Sequence, residues 1–239
     1  MRNTIFWAGD STVKQNDITS YPQTGIGQGF ELYITRDWYL DNRAENGRST
    51  KSFISEGRLD YIDENIKEGD FLFVQFGHND EKPDEERHTE PFGSFLDNLE
   101  KFRQTALSHK AHMVLITPLY RRLFTENGTL VEGTHMTYPD AMKEFGAKHE
   151  IPVIDLCEIS RHYIEKLGEE ASRHLFMHLE AGAYPNYMEG KADNTHLQYH
   201  GAVSFAGIIA NELRKLGGIY SSFLLPLDAE KEDPNLLVD

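Results

Sequence analysis

Phe71-Leu72-Phe73-Val74-Gln75-Phe76, followed at once by Gly77-His78-Asn79-Asp80, decides the fold. An almost unbroken apolar run of strand length, with no polar alternation, suits a strand covered on both faces, and the polar Gly-containing segment behind it stops the run. Three other runs have the same form: Thr4-Ile5-Phe6-Trp7-Ala8, Met113-Val114-Leu115-Ile116-Thr117 and Pro152-Val153-Ile154-Asp155. Between them Phe95, Leu99, Phe102 and Ala106 recur at helical offsets, and Ala202, Phe205, Ala206, Ile209 and Leu213 repeat the pattern later. Strand alternating with helix implies an α/β protein whose parallel sheet is sandwiched between helices. Asn42-Arg43-Ala44-Glu45-Asn46-Gly47 reads as a further short strand ending in a turn, with a helix from about Lys51.

The chain has 239 residues, 39% of them hydrophobic, enough for one core, and is read as a single domain over 1–227 with an acidic, loosely ordered tail over 228–239. A formal net charge of −15 argues against nucleic acid or an anionic membrane as partner, since both would be repelled. The single cysteine, Cys157, cannot form an internal disulfide, and its neighbours Val153, Ile154, Leu156 and Ile159 predict a buried structural thiol. Met1-Arg2-Asn3-Thr4-Ile5 lacks the features of a signal peptide, and no apolar stretch reaches membrane length, so the expected location is cytoplasmic.

Ligands of such sheets sit beyond the carboxyl ends of the strands, which directs the search to the loops holding Ser11, Gly47 and Asn79. The irregular stretches 120–138 and 174–198, rich in aromatics, Gly and His, are expected to wall a substrate groove. Ser11, in Gly9-Asp10-Ser11-Thr12, follows a strand and would project its hydroxyl into the crevice; in isolation it would equally serve as a helix cap. There is no Gly-x-Ser-x-Gly elbow, which disfavours the ordinary α/β-hydrolase layout. Asp193 precedes His196 by three residues, a separation that lets the carboxylate hold one imidazole nitrogen while the other faces the pocket. His196 would then take the Ser11 proton. The Asn79 amide, with the backbone amides of Ser11 and Gly47, would hold an oxyanion, although Asn79-Asp80 and Gly47 also suit simple turns.

Taken together, Gly9-Asp10-Ser11, Asn46-Gly47-Arg48-Ser49, Gly77-His78-Asn79-Asp80 and Asp193-Asn194-Thr195-His196 resemble the four blocks of the SGNH, or GDSL, hydrolases, in order and near the expected places. Gly-Asp-Ser-Thr-Val, Asn-Gly-Arg-Ser-Thr-Lys-Ser-Phe, Gln-Phe-Gly-His-Asn-Asp and Asp-Asn-Thr-His-Leu resemble specifically the rhamnogalacturonan acetylesterases, and the likeness covers nearly the whole chain. It implies a flavodoxin-like three-layer α/β/α sandwich. It also implies hydrolysis, without metal or cofactor, of acetyl esters on pectin-derived oligosaccharides through an acyl-enzyme.

Arg48, Arg121 and Arg122 are the cations available to a galacturonate carboxylate, and Tyr184, Tyr187 and Tyr199 could pack on sugar faces. Three other functions compete. A metal hydrolase draws on 11 histidines and on His174 and His178 at helical i, i+4 spacing, but no HExxH motif occurs. A non-catalytic carbohydrate-binding protein leaves the joint presence of Ser, Asn, Asp and His unexplained. A lysophospholipase or other esterase on the same scaffold predicts preference for a different acyl group or glycan. The sequence says nothing of oligomeric state.

Overall fold

Ile5 and Trp7 face one side of a five-stranded sheet while Phe6 and Ala8 face the other, and this alternation generates three layers. In the computed structural model, which describes residues 2–226, the order is β1 (Asn3–Gly9), α1 (Ile26–Phe30), β2 (Trp38–Asn42), α2 (Thr50–Ser55), α3 (Arg58–Asn65) and β3 (Phe71–Gln75). There follow α4 (Ser94–Ser108), β4 (His112–Ile116), α5 (Tyr138–His149), β5 (Val153–Ile154) and α6 (Leu156–Ala171). The last elements are β6 (Phe176–Leu179), β7 (Lys191–Leu197) and α7 (Tyr199–Leu216). The acidic tail expected over 228–239 lies outside the described residues.

The main sheet has the order β2-β1-β3-β4-β5 and every pair in it is parallel. On one face Trp7, Phe73, Val114 and Ile154 meet α1, α6 and α7. On the other, Ala8, Val74 and Leu115 meet α2, α3, α4 and α5. The flavodoxin-like three-layer sandwich expected from the sequence is the one observed. Both helices predicted from their apolar spacing are present, as α4 and α7, with Phe95, Leu99, Phe102 and Ala106 of the first fully inside. Gly29 on α1 lets that helix lie against α7, since a Cβ there would meet the Ala202 carbonyl oxygen at 2.7 Å.

Two expectations change. The extra strand is Trp38–Asn42, and 43–47 is the loop after it; β2 is an edge strand in which only Leu40 is buried, so it lacks the continuous apolar run that marks the others. The stretch 174–198 is also less irregular than expected. It folds into an antiparallel pair, β6 with β7, kept separate from the main sheet.

The strand order reverses between β1 and β3, which pair in parallel with Gly9 opposite Gln75. The loops leaving these two strands diverge, one toward α1 and one toward α4, and open the crevice where ligands of such sheets bind.

Candidate active site

Ser11 stands at the first turn after β1 because its neighbour points the other way. The Asp10 carboxylate is fully buried, where its Oδ1 accepts from the Thr12 backbone amide at 2.9 Å and the Thr12 hydroxyl at 2.8 Å. Val13 and Lys14 donate their amides to the Asp10 carbonyl at 3.1 Å. This tight turn leaves Ser11 half-buried at the crevice.

The opposing side comes from β7. Asp193 Oδ1 accepts the backbone amides of Thr195 and His196, both at 2.9 Å, and its Oδ2 accepts from His196 Nδ1 at 2.8 Å. With Nδ1 donating, Nε2 carries the lone pair, and it lies 2.9 Å from Ser11 Oγ. Burial raises the Asp193 carboxyl, but the hydrogen bonds from the His196 side chain and backbone prevail and hold it well below the ordinary carboxylate range. A hydroxyl, an imidazole and an ionised carboxylate thus stand in one hydrogen-bonded line, the arrangement that turns serine into a nucleophile.

The 46–50 turn lies beside β1, since Glu45 donates its amide to the Gly9 carbonyl at 3.1 Å. Gly47 has φ of +74°, a conformation that disfavours a side chain, although the space around a Cβ would be open. Asn79 Nδ2 donates to the Arg48 carbonyl at 3.1 Å, and its Oδ1 accepts from Arg87 Nη1 at 3.4 Å. One of the two Asn79 amide hydrogens therefore fixes the Gly47 turn and the other is left for a ligand. Asp80 locks the two loops together: its buried Oδ1 accepts from the Thr50 amide at 3.0 Å, from the Thr50 hydroxyl and from the Thr89 hydroxyl at 3.2 Å. Burial lifts the Asp80 carboxyl to about 7 against those bonds. Behind the crevice, His78 packs edge-on against His135 with ring centroids 4.4 Å apart. Burial, then His135 and Arg121, push it well below its ordinary value, so it is neutral.

Of the three arginines expected to meet substrate, two are turned inward. Arg121 Nη2 pairs with Glu81 at 2.5 Å, and Nη1 bonds the Thr134 carbonyl. Arg122 is 4% exposed: Nε donates to Ser172 Oγ at 2.8 Å, Nη1 to Asn194 Oδ1 at 2.9 Å and Nη2 to the Glu169 carbonyl. Its backbone amide also bonds the Asn194 carbonyl at 2.9 Å, so this buried guanidinium fastens the β6–β7 pair next to Asp193. Arg48 is half-buried and engaged by Glu56 at 2.7 Å. Tyr184 packs edge-on against Tyr21, Tyr187 donates to the Ser20 carbonyl at 3.1 Å, and Tyr199 is exposed at the start of α7. Tyr184 and Tyr187 thus dock the 180–190 loop onto the 17–22 loop, which Asn186 also ties by bonds to the Ile18 and Tyr21 carbonyls at 2.9 Å.

His174 and His178 do not share a helix. His174 sits in a 3-10 turn and His178 on β6, where its Nε2 lies 2.7 Å from Asn194 Oδ1. Among the described residues no group of three or more His, Cys, Asp or Glu is arranged to hold a metal ion. Cys157 is buried at the start of α6, as predicted, and burial pushes its thiol up to about 12, so it is an inert packing residue. Among the described residues no helix is long and apolar enough to cross a membrane.

Sequence reasoning missed Lys191, whose Nζ lies 3.2 Å from Asp193 Oδ2. A signal existed: Lys191 and Asp193 are two apart on a strand and so share a face.

No protein-family model matches the chain. The chain is 41% identical over 213 residues to a Bacillus subtilis protein named rhamnogalacturonan acetylesterase RhgT, a match covering 89% of this chain and 90% of that one. It is 37% identical to the probable rhamnogalacturonan acetylesterase YesY of the same organism, over 91% of this chain and 95% of that protein. Among solved structures, the B. subtilis protein YxiM superposes with a TM-score of 0.77 at 26% identity, covering 91% of this chain and 57% of the other. An acetylxylan esterase from Geobacillus stearothermophilus shares the fold at a TM-score of 0.60 and 13% identity, over 91% of this chain and 95% of its own.

Proposed function

Because the chain belongs to the rhamnogalacturonan acetylesterase family of SGNH hydrolases, we propose that it removes acetyl groups from pectin-derived oligosaccharides, with Ser11 as nucleophile, His196 as general base and acid, and Asp193 as its orienter. The observation that carries the reading is the unbroken line from Ser11 Oγ to His196 Nε2 at 2.9 Å and from His196 Nδ1 to Asp193 Oδ2 at 2.8 Å.

Ser11 Oγ attacks the acetyl carbonyl carbon as its proton passes to His196 Nε2. Charge gathers on the carbonyl oxygen, which the Ser11 and Gly47 backbone amides and the second Asn79 amide hydrogen receive; a donor of this kind contributes about 10²- to 10³-fold in rate. Collapse breaks the bond to the sugar oxygen, which leaves with the proton from His196. Water then attacks the acetyl-serine, giving its proton to His196, and acetate departs as Ser11 regains its hydrogen. Asp193 stays ionised throughout and stabilises the imidazolium.

Arg48, Tyr184, Tyr187 and Tyr199 are the side chains we assign to sugar contact, with Tyr21 added because it packs edge-on against Tyr184. Arg121 and Arg122 are left out because their guanidinium groups are turned inward, whereas Arg48 keeps part of its side chain at the surface. The reaction is placed on imported oligosaccharides in the cytoplasm, which cell fractionation checks; a buried free thiol needs no oxidising compartment.

The test is acetate release from acetylated rhamnogalacturonan fragments, acetylated xylo-oligosaccharides and a phospholipid, each with the unaltered enzyme, Ser11→Ala and His196→Ala. Rhamnogalacturonan fragments should be turned over fastest and both variants should lose nearly all turnover. Half the activity surviving in Ser11→Ala would refute the mechanism, and faster release from the phospholipid would refute the substrate.

A further inference from the structure

The Asp193 carboxylate accepts three hydrogen bonds, from the imidazole and from the two amides of its own turn, and meets a cation besides. Lys191 Nζ reaches Oδ2 at 3.2 Å, the same oxygen that accepts from His196 Nδ1 at 2.8 Å. Lys191 is itself held. Its ammonium also lies 3.4 Å from Gln23 Oε1 and 5.3 Å from the centre of the Tyr187 ring. Strand alternation puts Lys191 and Asp193 on one face of β7, so the contact is built into the backbone rather than reached by a wandering side chain. The pair is half-buried, with the Lys191 side chain 27% exposed and that of Asp193 18%.

We propose that Lys191 is a positioning residue that works through Asp193: its ammonium fixes Oδ2 on His196, offsets part of the carboxylate's charge, and sets a positive charge close to the imidazole on which the base step depends. This rests on the assignment of His196 and Asp193 given above. Both nitrogens touch one oxygen, which puts the ammonium within about 6 Å of the imidazole. A positive charge at that distance disfavours a second one. With water-like screening the Coulomb interaction amounts to about half a pH unit, and partial burial makes it larger.

Other groups face the imidazole as well. Asp10, from the end of β1, and His78, from the end of β3, both lie within electrostatic reach of His196. Asp10 acts in the opposite sense to Lys191 to the extent that it is ionised, and burial raises its carboxyl. His78 is held neutral by burial. Asp193 is also felt by Tyr187 and His178, of which the second is pushed down by burial and is uncharged near neutrality. Among these groups Lys191 is the one cation in direct contact with the carboxylate.

The experiment is the pH profile of kcat/KM for acetate release, measured with the unaltered enzyme, Lys191→Met, Lys191→Gln and Lys191→Arg, with Ser11→Ala alongside and melting followed for each. Both neutral variants should move the acid limb upward by about half a pH unit or more, and the displacement should shrink in high salt. Lys191→Arg should restore the original limb. Should one neutral variant fail to melt cooperatively, the other supplies the profile. An unmoved acid limb in a folded neutral variant overturns the proposal, and so does Lys191→Arg moving as far as Lys191→Met. Full activity in Ser11→Ala would instead remove the catalytic assignment beneath it, so the two failures are told apart.

Discussion

Replacing Arg122 by methionine should cost the protein much of its stability and its turnover together. The guanidinium donates to Ser172 Oγ, Asn194 Oδ1 and the Glu169 carbonyl, and lies 5.3 Å from the Phe124 ring centre. Hydrogen bonds to a charged group contribute about 1.5–3 kcal/mol each, and the sum is offset by no longer keeping a cation out of water. Some partners recover. Ser172 Oγ already lies 3.2 Å from the Glu169 carbonyl, and His178 still meets Asn194 Oδ1. Methionine also refills most of the stem's volume. A net loss of about 3 kcal/mol follows, which for a chain of this size lowers Tm by roughly 6–12 °C. Turnover should fall further than the unfolded fraction explains, because Asn194 adjoins Asp193 and the strand it anchors carries His196. Differential scanning calorimetry and acetate release at a temperature well below both transitions measure the two effects. If Arg122→Met melts within about 2 °C of the parent and keeps its kcat/KM, the guanidinium does not hold the hairpin and the reasoning fails.

Asp80→Asn tests the buried carboxyl between the two donor loops. Its folded value, about 7, lies above the ordinary 3.8, so the folded state binds the extra proton and this group's contribution to stability grows as pH falls from about 7 to about 4. Asparagine imitates the protonated acid. Stability from pH 8 to pH 5 should therefore rise less in the variant than in the parent, by up to roughly 2.5 kcal/mol; parallel curves of Tm against pH would refute this. Gly47→Ala meets open space, so its cost is confined to a backbone of φ +74°, about 1 kcal/mol. Chemical denaturation should show that modest loss while acetate release drops more steeply, because on the proposed mechanism a strained turn displaces an oxyanion donor. A loss of several kcal/mol would mean that the turn has a packing role the open surroundings do not suggest.

What could be read from the sequence was what is written locally. Phe71 to Phe76 announces a doubly covered strand because all but Gln75 is apolar, and Ser11, Asn79, Asp193 and His196 stand out because their residue types at or near strand ends suit one chemistry. Edge strand β2 carries no such run, since one of its sides meets solvent, and its position was displaced by several residues. Arg121 and Arg122 are adjacent in a loop, and nothing in their neighbours tells which way a long flexible side chain turns; the answer lies with Glu81, Ser172 and Asn194, all distant in the chain. The spacing of His174 and His178 fits a helix, but the chain passes from a 3-10 turn into a strand between them, and spacing without a continuous helix brings nothing together.

Ser11 and His196 are separated by 185 positions along the polypeptide. On a ribosome adding about 5–20 residues per second, roughly 10–40 s separate the synthesis of the proposed nucleophile from that of the proposed base. Nascent or prematurely terminated products therefore carry an unactivated serine. On the proposed mechanism a half-made copy lacks its base, so acetate release requires that the chain be synthesised at least through β7.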